Sequence, residues 1–500
     1  MSPVSLLKEQ RSVLSRSAYR NIAIVTVMLL AFALRTYGLT NESLWIDEGY
    51  SVALADHGLA DIVRGTIADQ HPPLYYVLLH LWQYFGDTVY HIRYLSVLLG
   101  MLGLAAILTM VNSLFGTRVG LTATLLSALS PMHIWFSQEA RMYILLTLLT
   151  TLSAYYFWRL ARGEKRVWAP YLLVTALSLY THNYAVFIIV AENLLVGVWL
   201  LLQRRSLRFL ARWVVIQLSV LLVYGAWIPV VLYQARHHQM RWLGSPNLET
   251  LRGTLDWLLL GQTPVRPVNL VWLLLAAIGV VLLARSGTVR PREGIEWVLG
   301  WFLLPLGLAF VVSQRYPIFQ AKQFLIVLPA LTAGVAVALC RLQGAWRWLI
   351  AGVLLAYNTS GLLNEYRQTT KHEWREVAAH ITSHLEEGDV LYLNPAASIL
   401  VLDVYLPDDV PYAGYPPGYS VIRGGWEGVI VDASMPEIVL APLAEDYDRI
   451  WLVEFSPGFW DPNAHLAAWL RDRARPVDAL AFHGISVRLF DVRDVVGHPR

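Results

Sequence analysis

Long apolar runs separated by short polar loops fill the first 363 residues of the chain. A helix needs about 20 apolar residues to cross about 30 Å of hydrocarbon, and eleven runs approach that length. They are residues 20–38, 92–112, 118–136, 143–160, 168–181, 183–202, 213–233, 268–284, 295–313, 323–340 and 347–363. The pattern therefore predicts a polytopic α-helical membrane protein with about eleven transmembrane helices.

A shorter apolar stretch, residues 73–85, interrupts this series. It is too short to span a bilayer, and its Tyr, His and Trp residues favour a juxtamembrane helix that lies in the interface. With this stretch left out, the positive-inside rule places 18 of the 28 Lys and Arg of residues 1–363 in cytoplasmic loops. The N-terminus is then expected in the cytoplasm, and the segment after the last span is expected outside it.

The pattern changes after residue 363. Residues 364–500 contain 11 Lys and Arg against 21 Asp and Glu, whereas residues 1–363 contain 28 against 15. Helical periodicity at 374–385 and 465–473 alternates with short apolar strands at 389–393 and 449–455. The sequence predicts two domains: a transmembrane domain, 1–363, and a small soluble extracytoplasmic α/β domain, 364–500.

Composition agrees with a membrane protein and excludes several other classes. Charged residues make up 15% of the chain, against about 25% in soluble proteins, and the mean hydropathy is +0.47. The single cysteine, Cys340, excludes an intramolecular disulfide framework and a thiolate metal cluster. No basic block interleaved with aromatic residues points to a nucleic acid partner.

Charged side chains are costly in hydrocarbon, so the chemistry of a membrane enzyme is expected where water meets lipid. The first predicted outer loop carries Trp45-Ile46-Asp47-Glu48. A carboxylate in a drier interface has a raised pKa and serves as a general base near neutral pH. The alternative interpretation is a solvated acidic loop.

Further polar groups lie in the other predicted outer loops. His71 precedes two prolines, Glu139 and Arg141 share the second outer loop, and Arg315 and Lys322 flank a later turn. An arginine such as Arg141 holds a phosphate through two parallel hydrogen bonds, although it could instead pair with Glu139. The alternative for Lys322 is an ordinary lysine whose charged end reaches the interface.

The order of these motifs resembles the GT-C glycosyltransferase superfamily, in particular bacterial proteins of the protein-mannosyltransferase and lipid A aminoarabinose transferase type (family 39-like). The matching segments are Trp45–Glu48, His71–Tyr76, Phe85-Gly86 with Arg93, Gln138–Tyr143 and Lys322–Phe324. The chain departs from the aminoarabinose transferases at Gln70-His71-Pro72, where they have Glu-Lys-Pro. It also carries Lys322 where many relatives have Arg.

The resemblance implies a GT-C fold and an inverting transfer of a sugar from a polyprenyl-phosphate-linked donor. The acceptor would be a lipid, glycan or protein on the outer face of the cytoplasmic membrane, with membrane lipid around the enzyme. By resemblance Asp47 is the catalytic base, and Glu48 and Glu139 are further catalytic candidates. The substrate-binding candidates are His71, Tyr75, Arg93, Arg141, Tyr143, His182, Arg315 and Lys322.

Other interpretations stay open at this point. Asp47, Glu48, His71, Glu139 and His182 are of types that bind divalent metals, but their spacing does not require a metal site. No other cofactor is indicated. Glu192 lies in the middle of a predicted span, which is typical of a proton-coupled transporter or flippase of envelope precursors. A catalytically inactive relative that scaffolds envelope assembly is a third possibility.

Overall fold

The computed structural model describes residues 3–202, 204–237, 243–261, 289–367, 371–423 and 430–494, without the side chains of 3–16, 260 and 289–292. The predicted span 268–284 lies outside the described residues. The chain divides into two compact units. The first, here the helical unit, combines residues 1–37 with 93–367, and the second, the sheet unit, combines residues 38–92 with 368–500.

Among the described residues, the helical unit is built of α-helices. Its helices are α1 (Pro3–Thr36), α5 (Val89–Phe115, from residue 93), α6 (Thr117–Ala128), α7 (Pro131–Ser137), α8 (Tyr143–Ala161), α9 (Trp168–Thr181), α10 (Ala185–Leu201), α11 (Leu207–Tyr224), α12 (Ile228–His237), α13 (Leu248–Leu260), α14 (Val289–Ser313), α15 (Leu328–Arg341) and α16 (Ala345–Arg367). A 3-10 turn at Ala321–Val327 leads into α15.

Six helical segments among the described residues are long and apolar enough to cross a membrane. They are Ser17–Thr36, Val89–Phe115, Tyr143–Ala161, Leu207–His237, Glu293–Ser313 and Ala321–Arg341, and a bent pair, α6 and α7, makes up to seven. The chain is thus a multi-pass membrane protein. The predicted count of eleven stays a prediction, because helices such as α9, with 14 residues, and α10, with 17, are short.

The predicted span 118–136 is broken rather than straight. Its halves, α6 and α7, meet at an angle of 66°. Pro131 begins the second half and cannot donate a backbone hydrogen bond to the preceding turn. The Ser130 hydroxyl accepts from the His133 N–H at 3.4 Å and caps the new helix. The apolar run therefore continues past the point where one helix ends and a second helix begins.

Glu192, the residue behind the transporter alternative, is fully buried on α10. The Tyr171 hydroxyl of α9 donates to Glu192 Oε2 at 2.5 Å, and Ser153 Oγ of α8 donates to Glu192 Oε1 at 3.3 Å. Both oxygens accept hydrogen bonds from neighbouring helices, as a buried polar group requires. This carboxyl therefore has a structural role in holding three helices together.

The sheet unit is an α/β fold. Its helices are α2 (Ile46–Ala55), α3 (Leu59–Ala68), α4 (Leu74–Gln83), α17 (Trp374–His384), α18 (Ile399–Leu402), α19 (Met435–Asp446), α20 (Pro457–Trp460) and α21 (His465–Arg473). Its strands are β1 (Asp389–Asn394), β2 (Tyr412–Gly414), β3 (Arg449–Phe455), β4 (Arg475–Phe482) and β5 (Ile485–Asp491), in the order β2-β1-β3-β5-β4. Strands β1, β2 and β3 are parallel, and β5 is antiparallel to β3 and β4.

The first loop belongs to this unit by its hydrophobic core. Leu44 and Ile46 are buried in one cluster with Trp374 of α17 and Trp451 of β3. By contacts, residues 38–92 group with residues 368–500, because apolar side chains of the first loop pack on the sheet. The division into domains 1–363 and 364–500 stays a prediction.

The short helix expected at residues 73–85 is α4, with 10 residues. Tyr75, Tyr76 and Leu79 are buried, whereas Leu81, Tyr84 and Phe85 are exposed. Exposed aromatic side chains of this kind are typical of an interfacial helix. Its position in the interface stays a prediction.

Candidate active site

Asp47 and Glu48 lie in the first turn of α2, in the sheet unit. Carboxylates are favoured there because the helix N-terminus carries a partial positive charge. Glu48 is fully buried, whereas Asp47 is half-buried. Glu48 Oε2 accepts from the Trp45 N–H at 3.4 Å, so this side chain turns back onto the start of its own helix. The two adjacent acids therefore have different surroundings.

Glu48 forms a buried ion pair. Lys371 Nζ lies 3.0 Å from Glu48 Oε2, and the two side chains are 7% and 0% exposed. A buried charge requires such a partner, because desolvation without one is costly. Glu48 thus has a buried charge partner, whereas Asp47 of the same turn is half-buried.

His372, next to Lys371, also interacts with Asp47. Burial lowers the pKa of the His372 imidazole, the nearby His483 lowers it further, and the Asp47 carboxylate acts in the opposite direction. The ring packs edge-on against Phe455, with centroids 4.7 Å apart. Asp47 therefore has an imidazole within electrostatic range.

The predicted substrate-binding residues His71 and Tyr75 lie in the same unit. His71 Nδ1 is 2.9 Å from Asp69 Oδ2, which fixes the ring. Tyr75 is fully buried, and its ring contacts that of Tyr76, which in turn contacts Tyr50 of α2. These rings pack α4 against the helix that carries Asp47. Tyr75 therefore supports the site from within the core.

Glu139 and Arg141 lie between α7 and α8, in the helical unit. Both are buried, at 0% and 4% exposure, and the Arg141 N–H donates to the Glu139 carbonyl at 2.8 Å. The neighbouring Gln138 amide donates to the carbonyls of Arg35 at 3.1 Å and Tyr37 at 2.8 Å, at the end of α1. These contacts satisfy carbonyls that the helix leaves unpaired and fix the turn that carries Glu139 and Arg141.

Tyr143, His182 and Lys322 come together in the helical unit, as a group that the sequence did not place in contact. Lys322 Nζ lies 5.5 Å from the centre of the Tyr143 ring, a cation–π distance. The Tyr143 and His182 rings are 5.9 Å apart. The Tyr184 N–H donates to His182 Nδ1 at 3.0 Å, so the neutral ring carries its proton on Nε2. A cation and an imidazole thus both lie within 6 Å of the ring of one tyrosine.

The remaining two candidates differ in their surroundings. Arg93 is 2% exposed. Arg315 is exposed in the turn after α14.

A family model and several solved structures are similar to this chain. Residues 70–233 match the model of the dolichyl-phosphate-mannose-protein mannosyltransferase family. The crystal structure of ArnT from Cupriavidus metallidurans in the apo state aligns with a TM-score of 0.61 at 15% identity, over 95% of this chain and 98% of that one. The chain has the GT-C glycosyltransferase fold. The fold implied by the resemblance of the motifs is thereby confirmed.

Two further structures share this GT-C fold. ArnT from Cupriavidus metallidurans bound to undecaprenyl phosphate has a TM-score of 0.61 at 15% identity, over 95% of this chain and 99% of that one. The archaeal oligosaccharyltransferase AglB from Archaeoglobus fulgidus, in complex with an inhibitory peptide and a dolichol-phosphate, has a TM-score of 0.55 at 10% identity, over 92% of this chain and 73% of that one. None of the curated protein sequences compared with the chain matches it.

Two buried cations of this protein were missed by sequence reasoning. Lys371 sits in Lys371-His372-Glu373-Trp374, where a basic pair opens an acidic tail. Arg35 is fully buried near the end of α1, where it donates to Ser137 Oγ at 3.2 Å, to the Ala128 carbonyl at 3.2 Å and to His133 Nδ1 at 2.9 Å. An arginine inside an apolar run was the available signal, because such a charge requires partners.

The candidate metal ligands lie among the same residues. Within the described ranges, no three His, Cys, Asp or Glu side chains converge on a point that could hold a metal ion. Of the five candidate ligands, Glu48 is paired with Lys371 and His71 with Asp69. A divalent ion therefore has to be tested by experiment.

Proposed function

We propose that this protein transfers a sugar from a polyprenyl-phosphate-linked donor to an acceptor at the outer face of the cytoplasmic membrane. The observation that carries the proposal is the likeness to ArnT, which extends over nearly the whole of both chains. That protein was crystallised with undecaprenyl phosphate. The family model matched by residues 70–233 describes enzymes that use a dolichyl-phosphate-linked sugar.

The proposed reaction needs a base and a group that stabilises the departing phosphate. The oxygen of an acceptor hydroxyl attacks the anomeric carbon of the sugar as the bond from that carbon to the phosphate oxygen breaks. The acceptor proton passes to the Asp47 carboxylate, and the bonding electrons leave with the polyprenyl phosphate. Attack opposite the leaving group inverts the anomeric configuration.

Asp47 is the preferred base over Glu48 for a reason of access. Asp47 is half-buried, whereas Glu48 is fully buried and paired with Lys371 at 3.0 Å. A base has to come within hydrogen-bonding distance of the proton that it removes. Glu139, which is also fully buried, is the second candidate for this role.

Arg141 and Lys322 are proposed to bind the donor phosphate. Both are cations of the helical unit, and Lys322 is oriented by the face of the Tyr143 ring. Arginine supplies two parallel donors to a phosphate, and lysine supplies a concentrated charge. Tyr143 lies against Lys322, and its ring is 5.9 Å from that of His182, so both side chains are proposed to contact the same headgroup or the sugar.

The test is to incubate the purified protein with a panel of polyprenyl-phosphate sugars, with and without a chelator. Transfer or hydrolysis of one sugar is expected, and the chelator arm decides the metal requirement. Asp47→Asn should lower turnover by about 10²- to 10⁴-fold at unchanged donor affinity, because it removes only the basicity. Glu48→Gln should cost less, and Asp56→Asn, an exposed acid at the end of the same helix, should cost nothing.

Two outcomes would contradict this proposal. Parent-like turnover of folded Asp47→Asn at saturating donor would move the base to Glu48 or Glu139. Movement of a lipid-linked sugar across vesicles, without any transfer product, would instead favour the transporter alternative at Glu192.

A further inference from the structure

The segment 371–376, which opens the tail, lies along residues 40–48 of the first loop, within the sheet unit. We name it the clamp. Lys371 pairs with Glu48 through its side chain, and its N–H donates to Glu42 Oε1 at 3.1 Å. The Arg375 N–H donates to Ser43 Oγ at 3.1 Å, and Ser43 Oγ donates to Glu376 Oε2 at 3.0 Å. The clamp therefore holds the loop at several points.

Apolar contacts add to these polar ones. Trp374, the middle of the clamp, is fully buried with Leu44 and Ile46 of the loop. Ile46 immediately precedes Asp47, and Leu44 lies three residues before it. The backbone on the N-terminal side of Asp47 is thus packed against the clamp.

The contact between Lys371 and Glu48 restrains the other side of Asp47. The same oxygen, Glu48 Oε2, accepts from Lys371 Nζ at 3.0 Å and from the Trp45 N–H at 3.4 Å. Asp47 lies between Trp45 and Glu48, so one carboxylate oxygen joins the clamp to both ends of the turn that carries Asp47. Loss of the lysine leaves a buried carboxylate without its charge partner, which forces Glu48 to rearrange.

We infer that Lys371 is a positioning residue for sugar transfer, which acts through Glu48 to hold the Asp47 carboxylate in its reactive orientation. The inference rests on the proposed role of Asp47 as base. Its physical content is that the clamp fixes the first turn of α2, because small misplacements of a reacting group cost large factors in rate. Lys371 itself contacts no substrate in this scheme.

The experiment is a double-mutant cycle on the full-length purified protein with the active donor of the panel. Lys371→Met should lower kcat by about 10- to 100-fold with KM for donor nearly unchanged. Lys371→Arg, which keeps the ion pair, should retain most of the turnover. In the Glu48→Gln background the further effect of Lys371→Met should be small, because the lysine acts through that carboxylate.

The matched control is the exposed pair Arg64 and Asp61 on α3, 2.8 Å apart, where Arg64→Met should change neither kcat nor KM. If Lys371→Met does not fold, Lys371→Gln takes its place, because its amide retains a hydrogen-bond donor. Thermal unfolding of each variant reports stability separately from kcat.

Three results would overturn the inference. If Lys371→Met is destabilised but keeps the kcat of the parent, the ion pair of Lys371 and Glu48 contributes only to stability. Additive losses in the cycle, or a raised KM for donor, would make Lys371 a direct substrate ligand. If the parent transfers sugar and Asp47→Asn abolishes activity while Lys371→Met does not, this inference alone is refuted. If the parent is inactive with every donor, the proposed function is refuted as well.

Discussion

At Gly49, helix α2 lies close against the backbone of α18, so Gly49→Ala should disturb Asp47 without changing any charged group. A Cβ atom at this position would lie 2.6 Å from the Leu400 carbonyl oxygen of α18 and 2.6 Å from Val401 Cγ2. Real Cβ contacts are essentially never shorter than 3.0 Å, so the two helices must move apart by several tenths of an ångström. A backbone carbonyl cannot rotate away as a side chain can.

The expected effect combines two opposing energies. Overpacking costs about 1–3 kcal/mol, and alanine is favoured over glycine in a helix by about 1 kcal/mol. The net loss of stability is then about 0–2 kcal/mol, which leaves the protein folded. A displacement of about 1 Å at a catalytic group costs up to about 10²-fold in rate, so turnover should fall far more than stability.

The assay compares kcat, donor Kd and the unfolding midpoint of Gly49→Ala with those of two controls. In Gly65→Ala the new methyl group meets mainly the end of the flexible Leu54 side chain, at 2.5 Å, and in Gly197→Ala it meets no atom within 4 Å. Gly65→Ala should be milder, and Gly197→Ala should be neutral or slightly stabilising. If Gly49→Ala has the same kcat as the parent, the claim that the packing of α2 against α18 positions Asp47 is refuted.

Other predictions concern the donor, the tail and the topology. Arg141→Ala and Lys322→Ala should each weaken binding of a lipid-linked donor, measured as Kd, whereas exposed Arg252→Ala should not. The Arg493 guanidinium holds the pKa of the Asp491 carboxyl well below its usual value. This stabilisation is present above the unfolded pKa of about 3.9 and lost as pH falls, so Asp491→Asn should lower the unfolding midpoint at pH 7 and matter less near pH 3. A tag at the C-terminus should be accessible only from outside the cytoplasm, and cytoplasmic access alone would refute that topology.

Regular elements followed closely from local sequence patterns. The predicted span 143–160 is helix Tyr143–Ala161, and the predicted strand 449–455 is Arg449–Phe455. Such elements satisfy their periodicity through near neighbours in the chain, and burial confirms the apolar positions. The antiparallel pair β4 and β5 was not predicted, although the His483-Gly484 turn between them was a hairpin signal.

At the break between α6 and α7, the hydropathy of the run predicts one span, whereas the proline predicts the start of a new helix. Hydropathy averages over a window, so the run 118–136 reads as one span. Ser130-Pro131 restarts the helix because proline cannot donate a hydrogen bond and serine caps the following turn. The dipeptide Ser130-Pro131, which is visible in the sequence, therefore determines where the second helix begins.

The two acids at the start of α2 could not be distinguished from local sequence. Asp47 and Glu48 are adjacent, are both negatively charged and lie in the same helical turn. The distinction comes from Lys371, which lies 323 residues beyond Glu48 in the chain and forms a buried ion pair with it at 3.0 Å. A buried carboxylate with a lysine at this distance is stabilised as an anion, whereas the neighbouring Asp47 is only half-buried. Assignment of the base therefore depends on a tertiary contact, and the same contact makes the tail part of the catalytic apparatus that we propose.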